Sequence, residues 1–280
     1  MSSLNLYQEY SLLASRELTQ KYSTSFSMGI RMLAAKFRDP ICAIYGFVRI
    51  ADEIVDSFPD SEAKFLLEEF RKQTFHAIES GISTNPVLQS FQWVVRKYDI
   101  DHQLIEAFLK SMEMDLYKKR YNQDELNEYV YGSAEVVGLM CLQVFVEGNR
   151  KAYQKLVAPA RALGSAFQKI NFLRDLSSDY TERKRVYFPG IDLEAFSDND
   201  KIKIQAEIAK ELEESQAGIR NLPLSVRFGV YLAFVYFRAV FLKIKQAKAT
   251  DLTGKRYRIS NFSKALLLLQ HWLKYRIGYF

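Results

Sequence analysis

The chain is poor in the residues that interrupt helices. It has 12 Gly and 6 Pro in 280 residues, too few for the frequent turns of an all-β sandwich or barrel. It has only two cysteines, Cys42 and Cys141, each inside an apolar run. That excludes a disulfide framework and a thiolate metal site; reduced, buried thiols are expected. Long apolar runs are missing too. The longest, VVGLMCLQVFV at 136–146 and FGVYLAFVYF at 228–237, fall short of the roughly 18 residues that argue for a membrane span. The N-terminal stretch carries acids and no apolar segment of signal type. A soluble, cytoplasmic protein is expected, with membrane contact limited to its periphery. Net charge is +6, read as spread along the chain with no basic arm. No zinc-finger spacing and no RNA-binding aromatic signature appear, so nucleic acid is not an expected partner.

What the chain has is apolar surface and helical period. Hydrophobic residues make up 48% and aromatics 14%, enough for a sizeable core and in keeping with an apolar ligand cavity. The period predicts helices over 11–22, 39–58, 61–80, 85–98, 102–120, 123–145, 158–180, 201–222, 224–247 and 261–277. Asp39 and Ser61 fit as N-caps, Pro40 fits a first helical turn, and 183–200 reads as a loop. No strand alternation persists, and there is no short repeat or low-complexity linker. The expectation is one all-α domain over residues 1–280, a bundle of roughly ten helices.

Two stretches do not fit a plain core. RIADEIVDSF (49–58) sets Asp52, Glu53 and Asp56 among apolar residues. NFLRDLSSDY (171–180) repeats the four-residue spacing with Asp175 and Asp179. Residues four apart share a helix face, so each pair projects together. Gln168, Asn171, Asp175 and Asp179 then form one polar stripe. Buried like charges are costly unless neutralised. Carboxylate pairs suit Mg²⁺, which takes one or two carboxylates plus waters and substrate phosphates. Arg49, Arg174, Arg183, Lys184 and Arg185 flank the acids, and arginine matches phosphate oxygens. One such pair on a helix is most often a solvated face. Two pairs in apolar helices, each beside arginine, favour a metal-bridged diphosphate site.

These residues, with their surroundings, resemble the squalene and phytoene synthase family of head-to-head prenyl condensing enzymes. YSTSFSMGI (22–30) resembles its early Ser-x-Ser-Phe segment. AIYGFVRIADEIVD (43–56) resembles its first aspartate-rich motif. YVYGSAEVVGLM (129–140) resembles its Tyr-x-Tyr helix, and FQKINFLRDLSSDYTERKRVYFP (167–189) its second motif with the Arg-x-Tyr-x-Pro loop. The resemblance covers residues 20–190 or so and is closest in style to bacterial phytoene synthases. It implies an isoprenoid synthase-type helical bundle with a central cavity. It further implies Asp52, Asp56, Asp175 and Asp179 as Mg²⁺ ligands, with Mn²⁺ as a substitute. Arg49, Arg174, Arg185 and Tyr187 would hold diphosphate, and Gln168 and Asn171 would line the site. Ser23, Ser25, Tyr45 and Tyr129 would surround the phosphate end or the ionising carbon. Phe26, Val136, Val137 and Gly138 would face the prenyl tails. Each has a plainer reading as core, cap or packing contact. The chain departs from the family pattern at Glu53, where an aspartate is common, at Tyr22, where some members have histidine, and at Glu135, where many have glycine.

The implied reaction is Mg²⁺-dependent condensation of two geranylgeranyl diphosphates to phytoene, in carotenoid biosynthesis and without NADPH. Squalene or dehydrosqualene synthesis from farnesyl diphosphate is the alternative. A non-catalytic, membrane-associated assembly protein is the alternative of another class, and a purely structural bundle a third. The basic tail, KRYRISNFSKALLLLQHWLKYRIGYF, is expected to pack with LLLL and Trp272 inward; a basic rim holding anionic lipid is the less favoured reading. Arg256 and Arg258 could instead reach the site's mouth.

Overall fold

The computed structural model describes residues 3–192 and 194–278. Among them the chain is all-α, with one isolated bridge between Arg120 and Val186. The helices are α1 (Ser3–Tyr22), α2 (Thr24–Arg31), α3 (Ala35–Ser57), α4 (Asp60–Ser80), α5 (Pro86–Tyr98), α6 (His102–Tyr117) and α7 (Gln123–Val130). A π-helical segment, Tyr131–Glu135, joins α7 to α8 (Val136–Phe145). Then come α9 (Arg150–Arg183), α10 (Asp198–Arg220), α11 (Leu224–Gln246), the short α12 (Ala249–Leu252) and α13 (Asn261–Arg276).

Several helix starts differ from expectation. Asp39 does not cap α3, because it accepts from Arg16 of α1 at 2.6 Å. The helix begins earlier, at Ala35, and carries Pro40 inside it. Ser61 does not cap α4 either; Pro59 holds that place. The segment after Ser23 is an unforeseen helix, α2, capped by the Ser23 hydroxyl, which accepts from Phe26 N–H at 3.2 Å. Asn149 starts α9 well before residue 158. Pro159 stays within α9, its ring against Gly218 of α10, where an added Cβ would lie 2.2 Å from it.

The core sits between the acid-bearing helices and their neighbours. Phe47 of α3 stacks on Phe91 of α5 at 3.9 Å and meets Phe108 of α6 at 5.4 Å. These rings fix the buried side of α3. Its other side, with Tyr45, Arg49, Asp52 and Asp56, faces a cavity shared with α9. Among the described residues α11 alone is long and apolar enough to cross a membrane, yet most of it is buried in the protein.

Candidate active site

A polar cavity of about 960 Å³ opens between α3, α9, α2 and the segment 254–264. Both carboxylate pairs line it, from opposite walls. Arg183, at the end of α9, joins them: Nη2 lies 3.0 Å from Asp56 Oδ2 and Nη1 3.3 Å from Asp179 Oδ1. The two acidic stretches, more than a hundred residues apart, therefore meet in space.

The acids bear the cost of their placement. Burial, and then the charge of Asp56, pushes Asp52 up to about 6. Asp52 still opens to the cavity, with 36% of its side chain exposed, so water there moderates that cost. Burial and Asp175 push Asp179 up to about 6. Arginines offset the repulsion. Arg49 donates to Asp52 at 2.5 Å and also pairs with Glu53. Arg174 holds Asp175 through Nε at 3.0 Å and Nη2 at 2.5 Å. Arg256 reaches the same carboxylate, its Nη2 at 3.1 Å.

The loop after α9 is shaped by its backbone. Lys184 takes a left-handed conformation (φ 56°) that turns the chain out of the helix. Val186 N–H then donates to Lys119 C=O at 2.8 Å. This aims Arg185 and Tyr187 into the cavity. Arg185 Nη1 lies 3.3 Å from Asp56, and Nη2 donates to the Asp115 carbonyl at 2.7 Å. Burial opposes its charge, but Asp115, Tyr187, Tyr129 and Asp56 outweigh that and hold it protonated. Tyr187 stacks on Phe172 at 4.0 Å and on Tyr129 at 5.3 Å. Such a wall of ring faces can stabilise a passing carbocation.

Asp115 on α6 escaped notice in the sequence. It is 4% exposed, accepts from the Tyr129 hydroxyl at 2.8 Å and lies 3.5 Å from Arg185. Burial pushes it up to about 7. Its one sequence signal was an acid amid the apolar period of α6. Lys264, whose Nζ donates to Thr24 Oγ1 at 2.5 Å, was also missed. Arg256 and Arg258 do reach the mouth.

The other residues singled out fall as follows. Ser23, Ser25, Phe26, Tyr45, Tyr129, Gln168, Asn171, Arg174, Arg185 and Tyr187 all line the polar cavity. Phe26, Tyr45, Gln168 and Asn171 also line an adjoining apolar pocket of about 310 Å³, so the two are continuous. Val137 and Gly138 line that pocket. Gly138 also admits the backbone of α9: an added Cβ would meet Ala160 C=O at 3.0 Å. Val136 lines neither cavity; it is wholly buried in the core. Glu135 points away, to Arg161 at 2.5 Å. Tyr22 lies at the rim with the Arg49 guanidinium 4.3 Å from its ring centre.

Several buried polar atoms around the cavity make no hydrogen bond within the protein: Arg49 Nε, Asp115 Oδ1, Asn171 Oδ1 and Arg185 Nε. Such atoms are rare in folded proteins, and here they cluster where a polar ligand would fit. Among the described residues no three metal-ligating side chains converge on one point. Each pair would instead offer carboxylate oxygens to a cation completed by waters and phosphate, the coordination Mg²⁺ favours. The donor set fits Mg²⁺.

A family model described as squalene/phytoene synthase matches residues 19–263. The chain belongs to the squalene/phytoene synthase family. It is a prenyltransferase of that family, acting on prenyl diphosphates by head-to-head condensation. It is 27% identical to a phytoene synthase of Arthrospira platensis, over 94% of this chain and 92% of the relative. It is also 27% identical to a 15-cis-phytoene synthase of Synechocystis sp., covering 94% and 84%. In fold it is similar to a dehydrosqualene synthase crystallised with ligand (TM-score 0.81, 22% identity, covering 98% and 99%). The squalene synthase HpnC of Alicyclobacillus acidocaldarius is a further fold match (0.68, 20%, covering 86% and 95%). The isoprenoid synthase-type fold is thereby established for the family member described here.

Proposed function

We propose that this protein condenses two geranylgeranyl diphosphates to phytoene, by way of a cyclopropylcarbinyl diphosphate, with Mg²⁺ and without NADPH. The whole chain acts as one catalytic domain. The observation that carries the chain length is a stripe on α9. Leu156, Pro159, Ala160, Leu163, Gly164, Phe167, Gln168 and Asn171 line the apolar pocket in succession. Fifteen residues at 1.5 Å each give a wall about 22 Å long. On ordinary carbon–carbon geometry an extended isoprene unit spans about 5 Å, so four units need about 20 Å and three about 15 Å. The wall matches four.

Asp52, Asp56, Asp175 and Asp179 would hold Mg²⁺. Bound there, Mg²⁺ supplies positive charge that eases departure of diphosphate from an allylic carbon. Arg49, Arg174 and Arg185 bind the diphosphate oxygens, exchanging their carboxylate partners for phosphate, and Tyr187 binds them through its hydroxyl. Ser23, Ser25 and Tyr45 border the phosphate end. Phe26, Val137 and Gly138 border the tails, and Tyr129, Phe172 and Tyr187 present ring faces to the cation. Serving amphiphilic substrates and releasing a hydrocarbon, the enzyme works in the cytoplasm at a membrane surface.

Product analysis tests this reading. The purified protein is incubated with Mg²⁺ and geranylgeranyl or farnesyl diphosphate, with and without NADPH. A C40 hydrocarbon with a central conjugated triene is expected without NADPH. A C30 product in preference would overturn the substrate assignment, and no product from either would overturn the catalytic one.

A further inference from the structure

The C-terminal helix is apolar on two opposite sides. Lys264, Leu267, Leu268, His271 and Tyr275 of α13 face inward, buried or half-buried. Tyr236 of α11 donates to the Lys264 carbonyl at 3.0 Å, and Tyr231 bonds His271 at 2.8 Å. Trp272, Leu266 and Leu269 are exposed, so the LLLL run and Trp272 are not turned inward as a set. At about 100° per residue, Phe262, Leu266, Leu269, Leu273 and Ile277 fall opposite the packed side, within an arc of about 80°. All five are exposed, from 51% at Leu273 to 80% at Phe262. A helix with a second apolar side needs something to cover it, and among the described residues no element covers this one.

The charge around it points to the occupant. Residues 221–280 carry eleven Lys and Arg against one acid, Asp251; the preceding 220 carry 28 against 32. The charge is thus concentrated in this last segment, contrary to the even spread read from the sequence. Lys274 and Arg276 are exposed on α13 itself, and Lys255 and Arg258 on the loop before it. An apolar ridge rimmed by cations is repelled by a second copy of itself and attracted to an anionic bilayer, whose surface favours each nearby cation. Arg258, Ile259 and Lys264 also line the polar cavity, so the start of α13 and the loop before it border the site's mouth.

We propose that the outer face of α13, from Phe262 to Ile277, docks on an anionic lipid surface. This rests on the peripheral-membrane reading above. The test is sedimentation of the full chain with phosphatidylglycerol/phosphatidylcholine vesicles and with phosphatidylcholine alone. Binding to the anionic vesicles is expected, weakened several-fold by added salt. The triple variant Leu266→Ser, Leu269→Ser, Leu273→Ser is expected to lower it at least tenfold. Lys274→Glu with Arg276→Glu is expected to lower it on anionic vesicles only. These residues are exposed, so thermal melts and turnover of detergent-dispersed substrate stay near the parent's. Unchanged vesicle binding in both variants would overturn the proposal. So would absent binding together with a concentration-dependent dimer that the triple variant dissolves. Vesicle binding is read independently of product, so its failure leaves the proposed chemistry standing.

Discussion

Asp115 sits where three parts of the site meet. It receives the Tyr129 hydroxyl, lies beside Arg185, and through Arg185 is linked to Asp56. Its role is positioning: it holds a phenol and a guanidinium in one orientation each. Asp115→Asn keeps an oxygen for Tyr129 but removes the charge that Asp115 carries above about pH 7, where the rates are to be compared. Hydrogen bonds to charged groups are worth about 1.5–3 kcal/mol, or roughly ten- to 150-fold in rate. The expected outcome is a fall of that size in kcat, with little change in KM. A raised KM at unchanged kcat would assign Asp115 to substrate binding instead. The same variant has a pH signature. Asp115 keeps its proton up to about 7 in the folded chain, whereas an unfolded aspartate loses it near 4. Between those values the folded state binds the extra proton, so stability falls as pH rises. The parent's melting temperature should therefore drop relative to Asp115→Asn from pH 4 to pH 7, then level off. Parallel curves across that range would show that Asp115 ionises normally. The four aspartates were legible because each pair announces itself by spacing. Asp115 was not, since a lone acid on a helix looks like any solvated residue until its burial is known.

The helices carry the next level of specificity. α9 supplies both one acid pair of the polar cavity and the length of the apolar wall. Its period was readable from residue 158, and the stretch before Pro159 was not, because proline usually ends a helix. Here Gly218 makes room for the ring. The π-helical segment at 131–135 was equally hidden, since one inserted residue leaves no compositional mark. Cavity depth depends on such details of packing and could not be read from the chain. It is open to a direct test at Ala160, eleven residues from Asn171 and so about 16 Å along the wall. Ala160→Phe should block the pocket beyond three isoprene units. Turnover of geranylgeranyl diphosphate is expected to fall more than tenfold while farnesyl diphosphate is still condensed. Equal loss of both substrates in a variant that melts like the parent would mean that this wall does not measure the chain. The tail was misread at the same scale. Its apolar residues suggested a buried helix, but a helix packed on one side only leaves its other pole outside.

At the scale of the molecule, the fold brings two distant acidic helices to one cavity, where Arg183 bridges them. The all-α class follows from the scarcity of turn formers, and the family resemblance located the site, but only three-dimensional structure could show that the pairs face each other. That arrangement stores repulsion which a bound cation and diphosphate would relieve. A ligand that binds only the folded state stabilises it by mass action, about 2.7 kcal/mol at a hundredfold excess over Kd. For a chain of this size that corresponds to a rise of about 5 °C in melting temperature. Mg²⁺ with inorganic diphosphate should produce such a rise, and a chelator should abolish it. Either ion alone should give less, because each completes the other's coordination. Asp56→Asn combined with Asp179→Asn removes one carboxylate from each wall, and is expected to erase most of the shift. If the double variant kept the whole rise, the aspartates would not be the metal's ligands, and diphosphate would have to be held by the arginines alone.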